Sequence, residues 1–243
     1  MSAFTLTDCT VFIGGYDFTG DSNKVSLKTD VEDKETTVFG SGGWKSRTGG
    51  LKDVSFDTEG YWQSAAAGPA VDPEAFSSLG VADRVATVTP TGIAGETAYF
   101  FQGGTFGYEM FGQVGDVTPF TLATKATGRQ GLIRGQLAKA KGLVSAVGAV
   151  GSGLQLGAVG AGQFLYAVVH VFSAGSTITL KVESDDNAGF SSPTDRITLA
   201  PITVAGGTWA VRLPGPITDT YYRVNATAIT GSFQLAAAIG IGS

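Results

Sequence analysis

From Lys24 to Phe39 the chain reads KVSLKTDVEDKETTVF, and polar and apolar positions alternate. Val25, Leu27, Val31, Thr37 and Phe39 share one parity, and Lys24, Ser26, Lys28, Asp30, Glu32 and Lys34 share the other. Successive side chains of a strand point to opposite faces, so this pattern predicts a strand with one buried and one wet face. Fully extended, the segment would reach ~53 Å at ~3.3 Å per residue, well past an ordinary strand. Three outcomes are open: the strand bends, it folds at EDKE as a hairpin, or it projects beyond its own domain. Asp33 and Glu35 fall on the apolar parity, which marks a break in the middle.

A second alternating run follows in LKDVSFDTEGYW, where Val54, Phe56, Thr58 and Trp62 alternate with Ser55, Asp57 and Glu59. The glycine-rich stretch FGSGGW (Phe39, Gly40, Ser41, Gly42, Gly43, Trp44), with Lys45 and Arg47 after it, therefore joins two strands. A phosphate cradle needs its glycines to run into a helix N-terminus, and no helix follows within reach. The loop is either a mobile exposed hairpin end or a surface shaped for contact.

One helix is predicted, in DPEAFSSLG, with Asp72 as N-cap, Pro73 at the first helical position and Gly80 as the stop. Ala75, Phe76 and Leu79 are expected to pack on a sheet. The runs VATVTP, TAYFFQGGTFGYEM, VTPFTLATKATG and GLIRGQLAK complete an antiparallel sheet domain over residues 1–141. Residues 142–153, GLVSAVGAVGSG, read as a Gly/Ala-rich linker or a loose edge strand. About seven short runs separated by Gly, Pro, Asp and Asn turns then predict a second β-sandwich over 154–243, of jelly-roll type. The fold class is all-β with one short helix.

Composition narrows the function. The formal charge is −5 and the pI about 4.8, which excludes a protein that grips nucleic acid through clustered Lys and Arg. The uncharged stretch between Lys141 and Lys181 is broken by glycines and by Gln155, Gln163 and His170, and its longest clean apolar run, Phe164 to Val169, is too short to span a membrane. MSAFTLTDC lacks a basic segment followed by an apolar run, so no signal peptide is read and no membrane partner is expected. Cys9 is the sole cysteine and His170 the sole histidine. No internal disulfide or zinc site can be assembled from them; His170, in the strand run YAVVHVF, is the one possible base for a Ser-His-Asp device, no GxSxG turn presents a nucleophile to it, and a structural strand residue is expected. No cofactor is expected.

Weaker candidates have simpler readings. SDDNAG (Ser184 to Gly189) has alternating Asp185, Asn187 and Gly189 but lacks the closing acid of a calcium loop, so a turn is expected. Asp57 with Glu59, and Glu32 with Glu35, read as solvated charge before they read as glycosidic acid pairs. Asn225-Ala226-Thr227 lies within a strand run. Trp62, Tyr221 and Tyr222 read as packing residues, with a sugar platform as the alternative.

Taken together, DFTGDSNKVSLKTDVEDKETTVFGSGGWKSRTGGLKDVSFDTEGYW, the DPEAF helix and the YFFQ strand group, roughly residues 8 to 140, resemble the major tail (tail tube) proteins of long noncontractile-tailed bacteriophages, the siphoviruses. The resemblance implies a tail-tube-type β-sandwich or split barrel with a flanking helix. It implies a structural virion protein, not an enzyme, assembled in the host cytoplasm into homo-oligomeric rings. The rings are usually hexamers, or trimers if the second half is also tube-type. They stack into a tube whose lumen holds the tape-measure protein and later passes double-stranded DNA, and the tube meets tail terminator and tail-tip proteins at its ends. On this reading Lys24, Ser26, Lys28, Asp30, Glu32 and Lys34 line the channel, and the Phe39–Trp44 loop with Lys45 and Arg47 contacts the next ring. The alternative is another virion part, a decoration or host-glycan-binding protein.

Overall fold

A computed structural model describes residues 5–65 and 69–243; the first four residues of the N-terminal stretch read above lie outside the described residues. The chain is all-β with one short helix. The first strands are β1 (Thr10–Ile13), β2 (Tyr16–Asp17), β3 (Ser22–Glu35) and β4 (Arg47–Tyr61). Helix α1 (Val71–Ser77) precedes β5 (Arg84–Thr89), β6 (Thr97–Met110), β7 (Pro119–Ala126) and β8 (Ile133–Val144). Then come β9 (Gly148–Gln155), β10 (Phe164–Ser173), β11 (Thr177–Asp185) and β12 (Thr194–Thr198). The last are β13 (Gly206–Trp209), β14 (Leu213–Pro214), β15 (Tyr221–Thr230) and β16 (Phe233–Gly242).

Twelve strands form one branched sheet, ordered β13-β10-β16-β8-β6-β5-β1-β2, from which β7, β4 and β3 branch off β6; four more form a sheet ordered β12-β11-β15-β9. β6 is the branch point because it changes partners along its length. Its first half pairs with β5 and β8, and its second half, from Gly103 on, with β7, with a register shift between Thr105 and Gly107. Such a bulge bends the strand and increases its twist, which lets one strand serve two directions of sheet.

The segment from Lys24 follows the third of the open outcomes: β3 runs unbroken for 14 residues and projects. Among the described residues it pairs only with β4, and β7 supports β4 only from Ser55 to Tyr61. Beyond Ser55, the hairpin continues as a two-stranded arm of roughly 25 Å at ~3.3 Å per residue. The break expected at Asp33 and Glu35 does not occur in β3: the register shifts where Val31 faces Lys52 and Asp33 faces Gly49, but the extra residue lies on β4.

In β10 every residue from Leu165 to Val171 is buried. Leu165, Ala167, Val169 and Val171 enter one core with β11, β15 and β16, whereas Tyr166 and Val168 enter another with Val85, Ala98, Phe100, Ile133 and Leu137. A continuous apolar run here marks a strand packed on both faces, as such strands require. Among the described residues no helix is long and apolar enough to cross a membrane. Residues 142–153 run as the end of β8, a short turn and most of β9, which is an edge strand of the second sheet. Gly151 in β9 has φ of +84°, and a side chain there would strike the Ala138 carbonyl of β8.

Helix α1 departs from expectation. Its N-cap is Ala70, with no side-chain cap bond, because the Asp72 carboxylate is taken by longer-range donors: Trp62 Nε1 at 3.2 Å and Tyr108 Oη at 3.0 Å. The buried face is Val71, Ala75 and Ser78, spaced by four and three. Of the residues expected to pack on the sheet only Ala75 does so; Phe76 is 67% exposed and Leu79 39%. The face is turned by about one residue, since Val71, outside the stretch first read as helix, supplies its first contact.

Candidate functional site

Antiparallel pairing puts directly opposite residues on the same face. Lys24 faces Glu59, Ser26 faces Asp57, Lys28 faces Ser55 and Asp30 faces Asp53. The even-numbered residues of β3 therefore form a solvated wall with acids of β4 that periodicity in β3 alone did not assign to it. Lys24, Lys28 and Lys34 stand against Asp30, Glu32, Asp53, Asp57 and Glu59, three cations to five carboxylates. Lys24 pairs with Glu59 at 2.6 Å and Lys28 with Asp30 at 2.5 Å, and Lys34 pairs with Glu32. The hydrogen bond to Asp30 raises the Lys28 ammonium above its ordinary pKa. These pairs are all exposed, so they contribute little to stability and serve to keep the face wet and mixed in sign. The signal that would have found Asp53, Asp57 and Glu59 is their own parity in β4, opposite to the buried Val54, Phe56 and Thr58.

On the other face of the hairpin Thr58, Phe56 and Val54 of β4 are buried against half-buried Val25 and Leu27 and exposed Thr29 of β3, and both strands are largely exposed from Val31 to the tip. There, Ser41 N–H donates to the Val38 carbonyl and Trp44 N–H to that of Ser41, both at 3.2 Å, forming successive turns. Gly40, Gly42 and Gly43 all have φ between +64° and +102° with open space where a side chain would go, so the turns require them by conformation. Phe39 is fully exposed and Trp44 81% exposed, with Val38 exposed beside Phe39 and Leu51 exposed farther down the arm. Lys45 pairs with Glu35 at 3.0 Å and Arg47 with Asp33 at 2.6 Å, so the base of the loop is pinned while its aromatic end is uncovered. Glu32 and Glu35 thus hold different lysines on the two faces of β3, and Asp57 and Glu59 lie in the polar wall; neither couple forms an acid pair of its own.

The remaining candidates fall to structural roles. His170 Nδ1 lies 2.8 Å from the Gly14 carbonyl and Nε2 2.7 Å from Thr87 Oγ1, an arrangement satisfied by a neutral ring donating to the carbonyl and accepting from the hydroxyl. Burial pushes its pKa from 6.5 down to about 4, against smaller opposing effects of the Gly14 carbonyl and Asp17. The unfolded chain therefore binds a proton first as pH falls. His170's contribution is complete above pH 6.5, is lost between about 6.5 and 4, and amounts to about 3 kcal/mol. His170→Asn is expected to be less stable at pH 7 yet to lose less stability from pH 6.5 to 4, as urea unfolding at each pH will show; parallel slopes would refute the assignment.

In SDDNAG, Asp185 accepts from the N–H groups of Asn187 at 3.0 Å and Ser192 at 2.9 Å, and Asn187 Oδ1 accepts from Gly189 N–H at 2.7 Å. The Asp185 and Asn187 side-chain oxygens are spent on nearby backbone N–H groups, and the Ser192 bond leads in holding the Asp185 carboxyl below the usual range. Among the described residues no cluster of His, Cys, Asp and Glu is placed to hold a metal. Tyr222 is buried, donating to the Asp219 carbonyl at 2.8 Å, and Trp62 packs on Phe111 with ring centroids 5.6 Å apart. One cluster went unforeseen: buried Glu183 accepts from Lys181, Arg223 and Asn225, each at 2.7 Å, with the Arg223 guanidinium 4.3 Å over Phe190. Alternation within β11 and β15 places these residues, but only the pairing of the two strands reveals their meeting.

No family model matches the sequence, and no curated protein does so. Solved structures similar to the chain include a component of the virion of a native gene transfer agent particle, at 17% identity and TM-score 0.42, covering 54% of this chain and 98% of that one. A component of the tail of an empty gene transfer agent particle with C6 symmetry is similar at 16% identity and TM-score 0.41, over 54% of this chain and 97% of that one. The Dit protein of phage SPP1, described as a paradigm of the hub adsorption apparatus in phages infecting Gram-positive hosts, is similar at 11% identity and TM-score 0.40, over 97% of this chain and 99% of that one.

Proposed function

We propose that the chain is a structural protein of a bacteriophage tail, a tail tube subunit that acts by assembly and not by catalysis. Copies form rings, six to a ring or three, and the rings stack into a tube in the virion that conducts DNA. The observation that carries this reading is the arm. A two-stranded ribbon is marginal in water unless something packs on it, and this one presents an unpaired β3 edge and an exposed aromatic end. Identical neighbours supply both needs, extending the sheet at the edge and covering Phe39 and Trp44 at the tip. Charged side chains along β3 guard the edge against unregulated pairing before assembly.

On this reading the wall of Lys24, Ser26, Lys28, Asp30, Glu32 and Lys34, joined by Asp53, Asp57 and Glu59, faces the lumen. A surface without basic excess lets a polymer with one charge per ~1.7 Å pass unheld. Negative-stain microscopy of the purified full chain tests the proposal. Stacked rings or tubes of uniform diameter are expected; a chain that stays monomeric at all concentrations and ionic strengths overturns it.

A further inference from the structure

The arm occupies one end of the β3-β4-β7-β6 sheet, and the opposite end carries the connection between β6 and β7, residues 111–118, FGQVGDVT. Met110 pairs with Phe120, and Tyr61, the last residue of β4, pairs with Pro119, which fixes that connection at the far end from the tip. The connection is apolar and uncovered: Phe111, Val114 and Val117 are all exposed, Val114 fully. Phe111 has φ +72°, a conformation rare for an aromatic residue, and its ring lies against Trp62. Asp116 and, just before the connection, Glu109 make no ion pair or side-chain hydrogen bond with any described residue.

The arm end shows the converse. A cleft of about 740 Å³ lies beneath the arm, lined among others by Val31, Lys52, Asp53, Arg129, Arg134 and Ile241. Lys52, Arg129 and Arg134 have no ion-pair partner among the described residues, so the cleft carries three unpaired bases, the Asp53 carboxylate belonging to the wall opposite Asp30; Glu109 and Asp116 give the opposite end −2. One end of the sheet thus offers an apolar loop with unpaired acids, and the other a partly apolar cleft with unpaired bases. Complementary fields of this kind steer encounter and fix orientation, and like charges brought together there cost several kcal/mol.

We propose that the 111–118 loop of one copy seats in the cleft beneath the arm of the next copy, Asp116 meeting Arg129 and Arg134. The inference rests on the proposed function, in that copies stack head to tail. It adds the receiving site and the polarity of the stack. The contact is heterologous, donor loop to acceptor cleft, and such contacts propagate in one direction.

The test uses the full chain with Cys9→Ala, Val114→Cys and Gln130→Cys, the last a cleft residue. Mild oxidation of assembled protein is expected to give a ladder of covalent multimers, absent from either single-cysteine variant and from protein diluted below its assembly concentration. In parallel, Asp116→Lys should raise the concentration needed for assembly at least about tenfold, and adding Arg129→Glu should recover most of it. Tubes from the unmodified chain with no ladder and no effect of charge reversal would overturn this contact alone. An unmodified chain that never assembles overturns the functional reading, and this inference with it.

Discussion

Replacing Phe39 and Trp44 together by serine is expected to leave a folded, soluble chain that no longer forms tubes. Both side chains stand in water at the end of the arm, so their loss removes no core contact, and thermal unfolding of the dilute protein should be unchanged. In the assembled state each is a candidate anchor. Buried aromatic anchors at protein interfaces are worth about 2 kcal/mol or more, a shift of about 30-fold in the concentration at which assembly sets in for each residue lost. Sedimentation velocity across a concentration series, with microscopy of the pelleted fraction, measures this. Unaltered tubes from the double variant would make the loop a free hairpin end and remove the tip from the interface.

Changing Asp30 and Glu32 to lysine is the second large effect. The wall goes from three cations against five carboxylates to five against three. Stability should barely move, because the pairs lost, with Lys28 and Lys34, are exposed. Assembly should survive for the same reason. Passage of DNA should not: a lumen with basic excess on every subunit of every ring binds phosphates by releasing counterions. Particles complemented with this variant are expected to eject slowly or incompletely at low salt and to recover as salt rises. Normal ejection at low salt from particles with intact tails would take these residues out of the channel.

Much of this geometry is written in short-range pattern. The two-residue period places Lys24 to Lys34 on one face, and the glycines at 40, 42 and 43 are those that positive φ demands, whereas the break that Asp33 suggested is absent from β3. What the pattern withholds are facts created by distant partners. Asp72 looks like a helix cap until Trp62 and Tyr108 claim its carboxylate. FLYAVVHVF says that β10 is buried, but not that its two faces belong to different cores, nor that His170 reaches Gly14 and Thr87. The cleft beneath the arm joins residues near 31, 52, 130 and 241, a meeting that no local reading can supply.

The core in which Tyr166, Val168 and Ala238 meet Val85, Phe100 and Ile133 limits how this chain can be recombined. Swapping its last ninety or so residues for those of a cousin would leave Phe100 and Ile133 facing foreign side chains unless the donor matched them in size and shape. Shuffling between such genes should therefore succeed most often where both sides of that seam are inherited together, and cargo peptides are better spliced into the 186–193 turn than appended in place of the last ninety residues.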